Sequence, residues 1–125
     1  MLDPKTEGQY PAEFVLSEAN GRLSRDTVTV TVPAGETLAA GTVLGKLSSS
    51  GKYVPFDDAA TDGSEDVAGV LVDNQVNDGD ADADVTAAVL NLNAEVRLAD
   101  LQWADGVDED AGVAGLLALG IKARD

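Results

Sequence analysis

The sequence predicts a mainly β domain of short strands, with one or two short helices near the C-terminus and an extended arm at the N-terminus. Three observations carry this reading. Val28, Val30 and Val32 alternate with Thr27, Thr29 and Thr31, and a period of two in β-branched residues places the valines on one face of a strand. Short apolar runs then recur along the chain, each closed by Gly, Pro or Asp, the punctuation of strands rather than of long helices. A helical period occurs just near the end, in residues 108–119.

With 125 residues, the chain suits one domain that buries roughly two thirds of the surface its unfolded form exposes. Hydrophobic residues make up 44% but aromatics only 4%, so the core must be assembled from Val, Leu and Ala. Such a core is thin, and oligomerisation would support it. There is no Cys and no His, which removes disulfides, thiolate metal sites, imidazole catalysis and the commonest zinc ligand. No apolar run reaches the length of a membrane span, and residues 1–10 are too polar for a signal peptide, so no secretion address is expected.

The formal net charge is −15, from 23 acidic against 8 basic residues. Residues 57–93 hold ten acids and no Lys or Arg. Such a field repels phosphate backbones and anionic lipid, so neither nucleic acid nor membrane is expected as a partner. The surplus of Asp fits two readings equally: a protein kept soluble in concentrated salt, where the Debye length is about 3 Å, or an acidic outer face in ordinary salt.

Taken in order, residues 1–26 hold Pro4 and Pro11, mixed charges and a single apolar cluster of Phe14, Val15 and Leu16, with Tyr10 ahead of it. No helical period survives between the prolines, and one cluster cannot offset an ordering cost of roughly 1–2 kcal/mol per residue. The segment reads as an extended arm. A disordered terminus is the plainer outcome, but Tyr10, Pro11, Phe14, Val15 and Leu16 argue for an arm that orders on a partner. Residues 27–56 form three short strands with two Gly-bearing turns, and the single domain is expected to run from residue 27 to 125.

Residues 57–66 are a polar loop, and VAGVLV (67–72) is a strand buried on both faces. The most acidic loop, 73–84, is followed by an apolar strand over 85–92 and a weakly alternating segment, 94–98, expected to pair with it. LADLQW (98–103) reads as a helical turn directing Leu98, Leu101 and Trp103 inward, with Trp103 a core or subunit-contact residue. Residues 108–119 form a helix capped by Asp108 or Asp110, with Gly120 at its left-handed end. Spacing puts Val113, Leu116, Leu117 and Gly120 on its packed face, so Leu116 and Leu117 join Val28, Val30 and Val32 as core or subunit contacts. Gly112 and Gly115 are expected to weaken the helix by up to about 1 kcal/mol each, and residues 121–123 to add an edge strand.

Little chemistry emerges. Asp78, Asp80, Asp82 and Asp84 alternate, which in an extended conformation points four carboxylates one way and suits a hard cation. Counted as a calcium loop, however, the sixth position is Asp78 or Ala83 where Gly is required, so a solvated loop is preferred and no metal or cofactor is expected. Serine lacks a His partner, and GTVLGKL departs from phosphate-binding loops in both spacing and the residue after Lys. The chain is not expected to be an enzyme.

The order FVLSEANGRLSRDTVTV (14–30), AGETLAAGTVLGKLSSSGKYVPF (34–56) and AATDGSEDVAGVLV (59–72) resembles the lambda-type bacteriophage head decoration proteins, the D-protein family. The likeness continues through AAVLNLNAEV, LQW and LLALGIKAR to residue 124, with SEANGRLSRDTVTV, AGTVLGK and GKYVPF its most specific pieces. The departures are extra acids in 73–84 and 107–110, which bear on host and salt regime. The resemblance implies a β-clip-like small barrel, assembled as a homotrimer on the outer surface of an expanded icosahedral head. It implies a protein made in the host cytoplasm that ends in the virion as a cement against internal DNA pressure. It also implies that the arm, residues 1–26, adds a strand to the major capsid protein through Tyr10, Pro11, Phe14, Val15 and Leu16. A receptor- or glycan-binding module displayed on a virion is the alternative, and it would need a pocket with exposed aromatics.

Overall fold

In the computed structural model, which describes residues 15–18, 25–92 and 94–124, the alternating valine segment becomes one wall of a closed barrel. The chain enters through β1 (Val15–Glu18) and reaches that wall, β2 (Arg25–Val32), which pairs antiparallel with β8 (Ala83–Leu90) from Arg25↔Leu90 to Val32↔Ala83. β4 (Val43–Lys46) pairs on one side with β5 (Tyr53–Pro55) and on the other with β6 (Val67–Leu71). A single parallel contact, Val30↔Tyr53, joins β5 to β2, and Val70↔Leu90 with Leu71↔Val89 joins β6 to β8. The order β2-β5-β4-β6-β8 closes on itself, so these five strands present no open edge. The mainly β, small-barrel reading holds.

Two apolar clusters lie on either side of the barrel wall. Inside, Val30, Val32, Leu44, Leu71 and Val89 pack with Tyr53 and Leu38, with Val28 partly buried at the margin. Outside, Val43, Phe56, Val70, Leu90, Val96, Leu116 and Ile121 form the larger cluster. Period two along β4, β6 and β8 sends consecutive side chains to different clusters: Val70 outward and Leu71 inward, Leu90 outward and Val89 inward. This is why VAGVLV has no polar face.

The outer cluster is covered by a three-stranded sheet and one helix. The sheet has the order β1-β9-β10: β9 (Ala94–Arg97) pairs antiparallel with β1 and parallel with β10 (Ile121–Arg124). The expectation that 94–98 pairs with the preceding strand is corrected, because β8 already has β2 on one edge and β6 on the other. With no edge left there, the chain leaves the barrel after Leu90 and starts a second sheet. A two-residue pairing of β3 (Thr37–Leu38) with β7 (Gln75–Val76) ties the acidic loop to the barrel mouth.

The helix α1 (Glu109–Ala118) has Asp108 as its N-cap, whose Oδ1 accepts from the amides of Asp110 at 3.0 Å and Ala111 at 3.4 Å. Gly120 follows at φ 83°, the left-handed conformation that lets the chain turn straight into β10. Its packed face is shifted by one residue from the predicted one. Gly112 and Leu116 are buried and Gly115 and Leu119 partly so, whereas Leu117 is 61% exposed. The glycines explain the shift. A Cβ on Gly112 would lie inside the Trp103 ring and 3.3 Å from Phe56, and one on Gly115 would lie 2.7 Å from Val67. Their lost helix propensity is therefore the condition for close docking.

Candidate functional site

The residues predicted to recognise a partner divide at Val15. Tyr10, Pro11 and Phe14 lie outside the described residues. Val15 and Leu16 stand in β1, where Val15 pairs with Val96 and is partly buried against the outer cluster. The register with β9 shifts between Val15 and Ser17, a local irregularity of the kind that bends an edge strand. The strand β1 thus falls within the predicted arm, residues 1–26, and Arg25 and Asp26 belong to β2. Among the described residues β1 pairs on one edge only, at the rim of the three-stranded sheet.

Trp103 sits half-buried between elements. Its ring meets Phe56 edge-on, with centroids 6.4 Å apart at 69°, and fills the space that Gly112 leaves open. It also lines a groove of about 340 Å³ with Glu36–Ala39, Thr42, Pro55, Gln102, Ala104 and Asp105. The groove floor is fixed by the Thr42↔Gln102 bridge, through Gln102 N–H to the Gly41 carbonyl at 2.9 Å and Val43 N–H to the Gln102 carbonyl at 3.1 Å. Its charged groups are Glu36 and Asp105.

Two side chains elsewhere have shifted acidities. The Ser64 hydroxyl and amide both donate to Asp62 Oδ1, at 2.6 and 3.0 Å, and hold its carboxyl below the usual range. Burial, then the Asp26 charge, pushes the Tyr53 phenol up.

Two aspartates at the end of the acidic loop hold structure. Asp84 Oδ2 pairs with Lys52 Nζ at 2.6 Å, its Oδ1 accepts from the Thr31 hydroxyl at 2.8 Å, and Asp82 Oδ1 accepts from the Ala34 amide at 3.1 Å. Asn77, buried at the loop's root, donates to the carbonyls of Val32 at 3.0 Å and Ala81 at 2.8 Å and accepts from Gly79 N–H. The four alternating aspartates are therefore not one extended row: Asp82 and Asp84 face different partners across the barrel mouth. Among the described residues no three acidic side chains gather around a point suited to a metal ion. The sequence signal for these latches was weak, since an Asp that binds a backbone amide looks like any other Asp.

The Lys52–Asp84 latch carries a pH prediction. Hydrogen bonding from Lys52, then from Thr31, keeps the Asp84 carboxyl below its ordinary range. A group depressed on folding contributes stability above its unfolded value and loses it as pH falls through the folded one. Protection of the amides at residues 30–32 and 83–85, measured against their intrinsic exchange, is therefore expected to fall as the pH drops below about 4. Asp84→Asn should abolish that acid limb, and an unchanged limb in the variant would assign it elsewhere.

No helix among the described residues is long and apolar enough to cross a membrane. In comparison with known proteins, the family model described as Bacteriophage lambda head decoration protein D matches residues 4–122. No curated protein matches the chain.

Proposed function

Because this chain belongs to the family of bacteriophage lambda head decoration protein D, a structural rather than an enzymatic family, we propose that it binds the outside of an expanded head as a homotrimer and cements the shell against internal DNA pressure. The observation that carries this is the match across residues 4–122 of the 125-residue chain. The proposed partner is the major capsid protein. The contact is made by the segment ahead of β1, with Tyr10, Pro11 and Phe14 as anchors and Val15 and Leu16 at its junction with the sheet.

The physics of such an arm supports the reading. Strand addition draws affinity from backbone hydrogen bonds and selectivity from alternate side chains, so a few apolar anchors suffice. Ordering one arm costs about 2–5 kcal/mol or more, a large part of what it gains. Three arms on one trimer act together, and linked sites gain roughly a hundred- to ten-thousand-fold in avidity. Val76, Leu92 and Leu117, exposed by 65%, 45% and 61%, are apolar groups for the contacts such an assembly makes. The acidic surface also suits a protein placed outside the shell and away from the packaged DNA. The receptor-binding alternative needs an exposed aromatic platform, and Trp103 is instead wedged against Phe56 and Gly112.

The experiment is native mass determination together with co-sedimentation on expanded, undecorated shells. A trimer that pellets with shells in proportion to their three-fold positions is expected. A monomer, or a protein left in the supernatant, would overturn the reading.

A further inference from the structure

The charges of this chain are separated in space. Outside the three-stranded sheet and the turn after β9, the described residues carry sixteen carboxylates and three cations. The sheet and its turn hold the other three cations, Arg97, Lys122 and Arg124, against Glu18, Glu95 and Asp100. In β9 and β10 the buried residues alternate with exposed ones, so Arg97, Lys122 and Arg124 share the outer face with Glu95.

That face contains an unfavourable pair. The parallel register sets Arg124 directly beside Arg97, and like charges opposite each other on neighbouring strands are destabilising. Each arginine reaches a carboxylate at one flank: Arg124 Nη2 lies 3.2 Å from Glu95 and Arg97 Nε 3.3 Å from Asp100. Both arginines nevertheless remain about half exposed, at 48% and 52%, and Lys122 is exposed beside them. Further carboxylates laid on this face would relieve the repulsion.

The chain itself presents such carboxylates at the other end of α1. Asp105, Asp108, Glu109 and Asp110 surround the helix start, and the Asp108 amide donates to Asp58 Oδ1 at 3.1 Å, which brings the exposed Asp57 and Asp58 alongside. Ten residues of helix separate this end from β10 by about 15 Å. The two surfaces are therefore distinct patches of one molecule, as a head-to-tail contact that closes into a ring requires. Between copies with a net charge of −15, pairings that leave this basic face out bring acidic surfaces together.

We propose that the outer face of β9–β10 docks on the acidic start of α1 in a second copy of the chain. This deepens the trimer reading and rests on it: the contact is heterologous, with Arg97, Lys122 and Arg124 on one side and Asp105, Glu109, Asp110 and Asp58 on the other. Asp108 stays with its own helix as the cap.

Charge reversal tests this on the full chain, with native mass and sedimentation velocity as readouts and circular dichroism as the check on folding. R97E/K122E/R124E, and separately D105K/E109K/D110K, are each expected to raise the trimer's dissociation constant by about a hundredfold or more. The six changes combined restore both opposition and net charge, and the trimer should return. R97Q/K122Q/R124Q, which introduces no new charge, provides a milder weakening should either reversal impair folding. Wild-type mass in both triple variants would overturn the proposal, as would failure of the combined variant to reassociate. A face variant that stays trimeric but no longer pellets with shells would overturn it by assigning the face to the shell. A monomeric wild type would remove the trimer reading itself, while its co-sedimentation would still report on decoration.

Discussion

Removal of residues 1–14 is expected to abolish binding to expanded shells while leaving the domain folded. The cut falls ahead of β1, so the β1–β9 pairing and the packing of Val15 on the outer cluster are retained. In the proposed trimer the deletion takes away Tyr10, Pro11 and Phe14, the proposed anchors, from all three arms at once. If the arms act through avidity as proposed, the apparent affinity should fall by at least about a hundredfold, chiefly through faster dissociation. A longer deletion, through residue 22, would also strip β1 from β9 and uncover Val15's contacts, and should lower thermal stability in addition. Titration of shells with both truncations, beside their melting curves, separates recognition from folding. Undiminished binding by the shorter truncation would remove the arm from the mechanism.

The second large effect is expected at the helix. Leu116 is fully buried in the cluster that contains Phe56, Val70 and Ile121. Leu116→Ala leaves a cavity where α1, the barrel wall and β10 meet, and should cost about 2–5 kcal/mol, lowering the melting temperature by roughly 10 °C. Leu117→Ala, one residue on and 61% exposed, should change stability within about 0.5 kcal/mol. Urea unfolding of the two variants at low protein concentration makes the comparison without a contribution from assembly. Equal losses would show that the packed face does include Leu117.

The same helix shows where reading the chain succeeds and where it stops. Its span, the Asp108 cap and the left-handed Gly120 follow from local rules and are found in place. Its packed face does not follow, because an apolar-periodicity argument counts Val113 and Leu117 but gives Gly112 and Gly115 no weight. Those glycines mark the face, and nothing in their neighbourhood announces that Trp103 and Val67 will press against them. The strands behave likewise: alternation locates β2, β6 and β8, yet their partners depend on which edges are still open when the barrel closes. For the proposed partner-binding segment, apolar anchors in a proline-interrupted stretch are legible, but the pairing of β1 with β9 is not.

What the sequence by itself determined is the set of local preferences. These are the strands of β-branched residues, the capped helix, the thin aliphatic core, the acidic excess and, through the motifs from SEANGRLSRDTVTV to GKYVPF, the family. Tertiary structure alone decided that two clusters sit on opposite sides of one barrel wall, that β9 joins β1 and β10, that Asp84 locks to Lys52, and that three basic side chains share one face. The reason is the range of the forces involved. Propensity, capping and alternation act over a few residues and are written in consecutive letters. Edge pairing, glycine-permitted contact and charge juxtaposition arise between segments tens of residues apart, and exist only once the chain has closed.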